Sequence, residues 1–184
     1  DGVKAIKNVT DSDIFLDLKL HDIPHTVSGA TKAVADLAPK YLTVHASGGA
    51  QMIGAAADAL PNTLITAVTI LTSLDQQQLT TMGWAGNAQD IVVNLAKQSV
   101  DAGARAIVCS PQEVAAVRNA VGTDIVLITP GVRPAGSDAG DQKRIATPEQ
   151  ALADGANILV IGRPITAASN IGEAATAIAA SIAN

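Results

Sequence analysis

The chain has 184 residues, of which 48% are hydrophobic and 2% aromatic, and its formal net charge is −5 without any run of lysine or arginine. This length suffices for one domain with a sizeable core, and the charge argues against a nucleic-acid surface and against binding to anionic membranes. The single cysteine, Cys109, excludes an internal disulfide and is typical of a reducing cytoplasm. No apolar stretch reaches the roughly 18 residues of a transmembrane helix, and residues 1–13 do not resemble a signal peptide.

Short apolar strands alternate with helices along the whole chain. The predicted strands cover residues 14–20, 41–46, 64–71, 106–109, 124–129 and 158–161. The predicted helices cover the tail of a helix in 1–10, then 26–37, 50–59, 88–102, 111–121, 148–153 and 171–182. A short helix plus loop is predicted over 75–84, and a long loop over 132–146. β-branched strands in alternation with helices predict an α/β fold built on a parallel sheet.

The spacing of the strands indicates a barrel. Strand starts recur roughly every 30 residues, as in a TIM (β/α)8 barrel, which has eight units in about 250 residues. The sequence contains about six units and begins in what reads as the end of a helix. We therefore predict a single barrel domain over residues 1–184 that lacks roughly two N-terminal units. An open doubly wound sheet of six strands fits the same periodicity.

The first predicted strand, 14–20, ends in a cluster of charges. Strand alternation places Asp17 and Lys19 together on one face. The opposite, core-facing side would hold Leu16, Leu18 and Leu20. Asp22 follows where the strand should end, since Pro24 cannot continue the ladder. An isolated pair of this kind is often an ordinary ion pair, but charges on a buried strand are usually paired and often functional.

Two segments near the end of the chain are typical of anion binding. Gly162 and Arg163 follow the last strand, where backbone N–H groups and a guanidinium suit a phosphate. The irregular loop over 132–146 has the length and glycine content of a mobile lid. Arg133 and Gln142 in this region are within reach of a phosphate, although Arg133 taken by itself is also typical of a solvated surface charge.

Other polar residues follow the middle strands. His45 ends the second strand, and we interpret it as a structural hydrogen-bonding group. Thr72 and Ser73 follow the third strand, where they either contact a polar ligand or cap the next helix. No spacing of His, Cys, Asp and Glu is typical of a structural metal site, so no metal is predicted.

Several motifs carry a family resemblance. The run Asp17-Leu-Lys19-Leu-His-Asp22-Ile23-Pro24-x-Thr26-Val27 resembles the catalytic motif of the orotidine 5′-phosphate decarboxylase family. Further matches are Thr129-Pro-Gly-Val-Arg133-Pro, Asp141-Gln142-Lys-Arg144 and Ile161-Gly162-Arg163-Pro164. The D-x-K-x-x-D element is shared with keto-gulonate phosphate decarboxylases and hexulose phosphate synthases, whereas the His-Asp-Ile-Pro continuation favours the orotidine family.

The resemblance implies a (β/α)8 barrel, a homodimer with shared active sites, and no metal or organic cofactor. The implied reaction converts orotidine 5′-phosphate to UMP and CO2. Lys19 would stabilise the carbanion at C6 and deliver the proton, and Asp17 would hold Lys19 near the departing carboxylate. Asp22 would reach into the partner's site near the ribose, and Ile23 and Thr26 would line that shared site.

The resemblance also implies a phosphate subsite. Thr72 would contact the pyrimidine, and the 5′-phosphate would be held by Arg133, Gln142, Gly162 and Arg163. The family's ribose-binding aspartate and second lysine lie on strands that precede this sequence. Two alternatives stay open: an inactive truncated barrel, and a metal-dependent sugar-phosphate lyase of the same superfamily. The second would require a carboxylate on the 41–46 strand, which has none.

Overall fold

The computed structural model describes residues 2–133 and 146–182, and the predicted alternation of strands and helices is confirmed there. The strands are β1 (Phe15–Leu20), β2 (Tyr41–His45), β3 (Leu64–Val68), β4 (Ala106–Val108), β5 (Val126–Thr129) and β6 (Ile158–Leu159). The helices are α1 (Gly2–Lys7), α2 (Pro24–Ala33), α3 (Ala50–Ala59), α4 (Gln76–Thr81), α5 (Ala88–Asp101), α6 (Val114–Val121), α7 (Pro148–Ala153), α8 (Arg163–Thr166) and α9 (Ile171–Ile182).

Helices α3, α7 and α9 have the predicted bounds, whereas other elements differ. The helix predicted over 26–37 is divided: α2 begins at Pro24, and a separate 3-10 turn covers Ala35–Leu37. Proline suits the first helical position because its fixed φ is already helical and its missing N–H would have no intrahelical acceptor. Helix α8 was not predicted. No helix of the described residues is long and apolar enough to cross a membrane.

The chain divides into two compact units. The first comprises Asp1–Thr69 and Leu95–Ile107, and the second comprises Ile70–Asn94 and Val108–Asn184. In the first unit β1 pairs with β2 and β2 with β3, all in parallel.

The core of the first unit consists of β-branched and aliphatic side chains on both faces of β2 and β3. Strand β2 has three consecutive buried residues, and β3 has four. Helix α3 covers this sheet with Met52 and Ile53, both fully buried, and packs against α2. Continuous burial along a strand is characteristic of a parallel sheet covered by helices.

In the second unit, β5 pairs in parallel with β6, so that Ile128 lies opposite Ile158. The backbone N–H of Cys109, just after β4, donates to the carbonyl of Ile128 at 3.3 Å. Cys109 is buried, so it lies in this unit's core. The segment with Cys109, β5 and β6 therefore lie side by side in the same order as in the chain.

The guanidinium of Arg118 on α6 ties three segments of the second unit together. It donates to the carbonyl of Gly155 from Nη2 at 2.8 Å and from Nε at 3.3 Å. Its Nη1 donates to the carbonyls of Gly122 at 2.5 Å and Ile125 at 2.9 Å, and its Nη2 donates to Asn157 Oδ1 at 2.6 Å. A charged group that satisfies so many backbone acceptors serves the folded structure.

Candidate active site

Strand β1 is irregular at the predicted charged cluster. Leu16 lies opposite Leu42 of β2 and Leu20 lies opposite Val44, so three residues of β1 face the single Thr43. Such a bulge turns side chains away from the regular alternation. Lys19 has a φ of +50°, a left-handed conformation that costs a residue other than glycine roughly 1–2 kcal/mol.

The predicted leucine face is therefore wrong. Leu16 is buried, but Leu18 is 46% exposed. The alternation rule assumes that each residue of a strand meets one residue of its neighbour, and the bulge between Leu16 and Leu20 breaks that condition.

Asp17 and Lys19 form an ion pair, with 2.5 Å between Lys19 Nζ and Asp17 Oδ2. Their side chains are 41% exposed for Lys19 and 47% for Asp17, so solvent and ligands reach both. The hydroxyl of the buried Thr43 donates to Asp17 Oδ1 at 2.9 Å and accepts the backbone N–H of Lys19 at 2.8 Å. Both oxygens of the carboxylate are therefore engaged, one by each of its neighbours.

Two histidines lie next to this pair. The ring centroids of His21 and His45 are 5.3 Å apart and the rings are inclined by 47°. Burial lowers the pKa of His45 below its ordinary value, and the positive charges of His21 and Lys19 lower it further, whereas Asp17 opposes the shift. The neutral imidazole is therefore the favoured form of His45.

An open cleft of about 470 Å³ begins where β1 ends. Its lining consists of His21, Asp22, Ile23, Pro24, Ser47 and Gly48. Ile23 is 66% exposed, and its backbone N–H donates to Asp22 Oδ1 at 2.7 Å. A Cβ at Gly48 would collide with the end of the Met52 side chain and lie 3.2 Å from His21 Cδ2, so a larger residue there would require Met52 to move. Thr26 is exposed in the first turn of α2.

The other predicted residues lie in the second unit, except for Gln142, which is outside the described residues. Arg133 is 7% exposed, so its interpretation as a solvated surface charge is wrong. Its Nη1 donates to the carbonyl of Val132 at 2.8 Å, and its backbone N–H donates to Ala146 at 3.0 Å. Gly162 and Arg163 are exposed at the start of α8.

Thr72 is nearly buried at 9% exposure after β3. The alternative that Thr72 and Ser73 cap the next helix is wrong. Asp75 is the N-cap of α4, because its side chain accepts the backbone N–H of Gln78 while the Gln78 side chain accepts that of Asp75. This reciprocal capping box leaves the threonine hydroxyl outside the helix terminus.

The structure brings Asp17 and Lys19 into contact and places Asp22, Ile23 and Thr26 in the same unit. Sequence analysis missed Thr43, which touches both members of the pair. Its signal was weak: a threonine in the middle of β2 between fully buried Leu42 and Val44. Threonine is common in strands, so the contact becomes visible only when the neighbouring strand is in place.

A parallel α/β fold with charged side chains gathered at the carboxyl end of a strand is the arrangement found in the active sites of α/β enzymes. Comparison with known proteins identifies the family. The sequence model of the orotidine 5′-phosphate decarboxylase / HUMPS family matches residues 1–178, and the chain belongs to this family.

Individual relatives agree with this assignment. The chain is 60% identical over 180 residues to orotidine 5′-phosphate decarboxylase of Thermobifida fusca, covering 98% of this chain and 77% of the relative. It is 55% identical over 170 residues to that of Frankia casuarinae, covering 92% of this chain and 62% of the relative.

A crystal structure of orotidine 5′-phosphate decarboxylase from Lactobacillus acidophilus matches with a TM-score of 0.84 and 38% identity, covering 100% of this chain and 82% of the other. This likeness confirms the predicted TIM-barrel class, with about six of the eight β/α units present, over the doubly wound alternative.

Proposed function

We propose that the chain catalyses the decarboxylation of orotidine 5′-phosphate to UMP and CO2, a step of de novo pyrimidine biosynthesis. The observation that carries the proposal is the Asp17–Lys19 ion pair on a bulged strand, in a chain 60% identical to a relative of that name. The pair places a proton donor beside a carboxylate with both side chains accessible.

The proposed reaction breaks the bond between C6 of the pyrimidine and its carboxylate carbon. The electron pair stays on C6 while CO2 leaves. The Lys19 ammonium stabilises this developing negative charge and transfers a proton to C6, and it regains a proton from solvent. Asp17 holds Lys19 and lies near the departing carboxylate. Preorganised charge aimed at the site where negative charge develops commonly makes the largest single contribution to catalysis.

Asp22, Ile23 and Thr26 are proposed to serve a shared site in a homodimer. Asp22 and Ile23 line the open cleft at the end of β1, and a large exposed apolar side chain such as Ile23 suits burial against a second copy. In this proposal Asp22 approaches the ribose bound by the partner.

The remaining predicted residues are proposed to hold the rest of the substrate. Thr72 contacts the pyrimidine, while Arg133, Gln142, Gly162 and Arg163 bind the 5′-phosphate. Guanidinium groups and backbone N–H groups are well matched to phosphate oxygens. Binding energy from this remote group would lower the barrier at C6, as enzymes of this kind require.

The proposal includes catalysis without a metal or organic cofactor, a cytoplasmic location, and no nucleic-acid or membrane partner. These points rest on the chemistry of the lysine, the single cysteine and the net charge of −5. One barrel domain over residues 1–184 also stays a prediction.

The direct test follows the loss of orotidine 5′-phosphate absorbance with the wild-type protein and with Lys19→Ala. We expect turnover by the wild type and a loss of about 10⁴-fold in kcat/KM for Lys19→Ala, because the variant removes both proton donor and charge. Wild-type protein without turnover would overturn the proposal.

A second arm repeats the assay in EDTA. Unchanged activity supports the cofactor-free reaction. Loss of activity that Mg²⁺ restores would instead indicate the metal-dependent sugar-phosphate chemistry also found in this superfamily. Strand β2 offers His45 and no carboxylate, which favours the first outcome because Mg²⁺ prefers oxygen ligands.

A further inference from the structure

We propose that Thr43 is a positioning residue for the decarboxylation: one buried hydroxyl fixes both the Asp17 carboxylate and the left-handed backbone of Lys19. The inference rests on the proposed function, because it assigns Thr43 a part in that reaction. It concerns how the reacting pair is held, and Thr43 itself does not touch the substrate.

The hydroxyl of Thr43 uses its donor and acceptor capacity on the two functional residues. Its proton has two acceptors in reach, Asp17 Oδ1 at 2.9 Å and the carbonyl of Leu16 at 3.5 Å. The carboxylate is both nearer and charged, so it takes the proton. The oxygen in turn accepts the Lys19 N–H at 2.8 Å.

The bulge explains why the Lys19 backbone needs this hydroxyl. Three residues of β1 face one residue of β2, so the regular ladder has no carbonyl for each N–H in this stretch. A backbone N–H without a partner is costly. Thr43 supplies an acceptor in place of the ladder, which stabilises Lys19 at its φ of +50°.

Thr43 is also rigid enough to act as a positioning group. It is 1% exposed and lies between Leu42 and Val44, which are fully buried. A β-branched side chain in a strand has restricted χ1 freedom. Asp17 and Lys19, by contrast, are each more than 40% exposed, so packing alone does not hold their side chains.

Without the hydroxyl, Asp17 would keep its contact with the Lys19 ammonium as its one side-chain contact among the described residues, and the pair would be free to move as a unit. Catalysis depends on placement of reacting groups to within a fraction of an ångström, and a displacement of 1 Å can lower the rate by about 100-fold. Affinity for ligands that do not use the pair should change little.

The experiment compares three variants with the wild type. Thr43→Val keeps the shape and removes the hydroxyl, and Thr43→Ser restores a hydroxyl. The matched control is Thr66→Val, because Thr66 lies opposite Thr43 on β3, is fully buried, and donates its hydroxyl to Leu64 of its own strand at 2.9 Å. The measurements are kcat, KM, the Kd of UMP and the exchange rate of the Lys19 amide proton.

We expect Thr43→Val to lower kcat by about 10- to 100-fold, with the Kd of UMP within about threefold of the wild-type value. Thr43→Ser should recover most of kcat, and Thr66→Val should leave kcat unchanged. The Lys19 amide should exchange at least about tenfold faster in Thr43→Val only, because its acceptor is gone.

Four results would overturn the inference: wild-type kcat in Thr43→Val, an equal loss in Thr66→Val, a loss of UMP affinity that parallels the loss of kcat, or an unchanged exchange rate of the Lys19 amide in Thr43→Val. The amide-exchange measurement does not depend on turnover. If the wild type shows no decarboxylation, the proposed function fails by itself, whereas unchanged Lys19 exchange in Thr43→Val refutes the role of Thr43.

Discussion

Two cations of this chain are held in opposite ways. Arg118 donates to the carbonyls of Gly155, Gly122 and Ile125 and to the side chain of Asn157. Among the described residues, the ammonium of Lys19 donates to a single acceptor, the Asp17 carboxylate, and remains 41% exposed.

The comparison separates charge used for stability from charge used for chemistry. The guanidinium of Arg118 donates to three backbone carbonyls and one side-chain oxygen, and partial burial strengthens those hydrogen bonds. Lys19 has an ammonium with three donors, an unfavourable backbone conformation and an exposed carboxylate partner. Active sites commonly combine such local strain with accessible charge.

The largest expected effect is the loss of stability on replacing Arg118. Arg118→Met keeps much of the apolar stem and removes every guanidinium bond, leaving the carbonyls of Gly155 and Ile125 without this donor. We expect the free energy of unfolding to fall by about 3 kcal/mol, measured by urea denaturation. Activity per folded molecule should not change.

Arg105→Met provides the control for that change. Arg105 is exposed and donates to the carbonyl of the adjacent Ala104 at 3.1 Å. Its loss should cost less than about 0.5 kcal/mol. Equal losses in the two variants would mean that the number of carbonyl contacts does not set the contribution of an arginine here.

A smaller effect on stability is expected at Lys19. Lys19→Gly should be more stable than Lys19→Ala by about 1 kcal/mol, because glycine adopts φ near +50° without a Cβ penalty. Both variants should lack activity, since neither has the ammonium. Thermal and urea unfolding of the two proteins provide the measurement.

The same pair of substitutions at Leu18 is the control. Lys19 and Ala38 are the positive-φ residues other than glycine in the described part of the chain, so Leu18 has an ordinary backbone. There the order should reverse, with Leu18→Gly less stable than Leu18→Ala. An identical order at both positions would refute the claim that Lys19 is strained.

The smallest expected effect concerns His45. Its pKa in the folded protein lies below the ordinary value of 6.5, so the unfolded chain binds more protons as the pH falls below about 6.5. The contribution of neutral His45 to stability is therefore present above that pH and is lost as the pH falls through the folded-state pKa.

His45→Gln should flatten the fall in melting temperature between pH 7 and pH 5.5 by less than about 2 °C. The exposed His25, changed to Gln, serves as control and should leave the slope as it is in the wild type. A steeper fall in His45→Gln would contradict the sign of the shift.

Sequence analysis predicted the alternation of elements well because each depends on local signals. Apolar runs of β-branched residues marked the strands, and helices α3, α7 and α9 matched their predicted bounds. The Asp17–Lys19 contact was also predictable, since both residues belong to one strand and are two apart.

The predictions that failed depend on neighbours distant in sequence. The exposure of Leu18 follows from the pairing of β1 with β2, which no periodicity within β1 reveals. The burial of Arg133 and the hydrogen bonds of Thr43 likewise depend on tertiary packing. The wrong prediction that Thr72 and Ser73 cap α4 was avoidable from the sequence, because Asp75 with Gln78 three residues later is a recognisable capping box.

The bulge in β1 also sets the requirements for transplanting this charge pair into another scaffold. An ordinary strand carrying Asp-Leu-Lys would present both charges on one pleat, at regular spacing, with every amide committed to the ladder. Reproducing the arrangement seen here requires three residues on the strand that carries the charges opposite one residue on its neighbour, as between Leu16 and Leu20 of β1. It also requires a backbone turn at the lysine and a hydroxyl across from it. A designer who copied the motif letters alone would obtain a salt bridge without the bulge, the left-handed lysine and the hydroxyl that hold it in place.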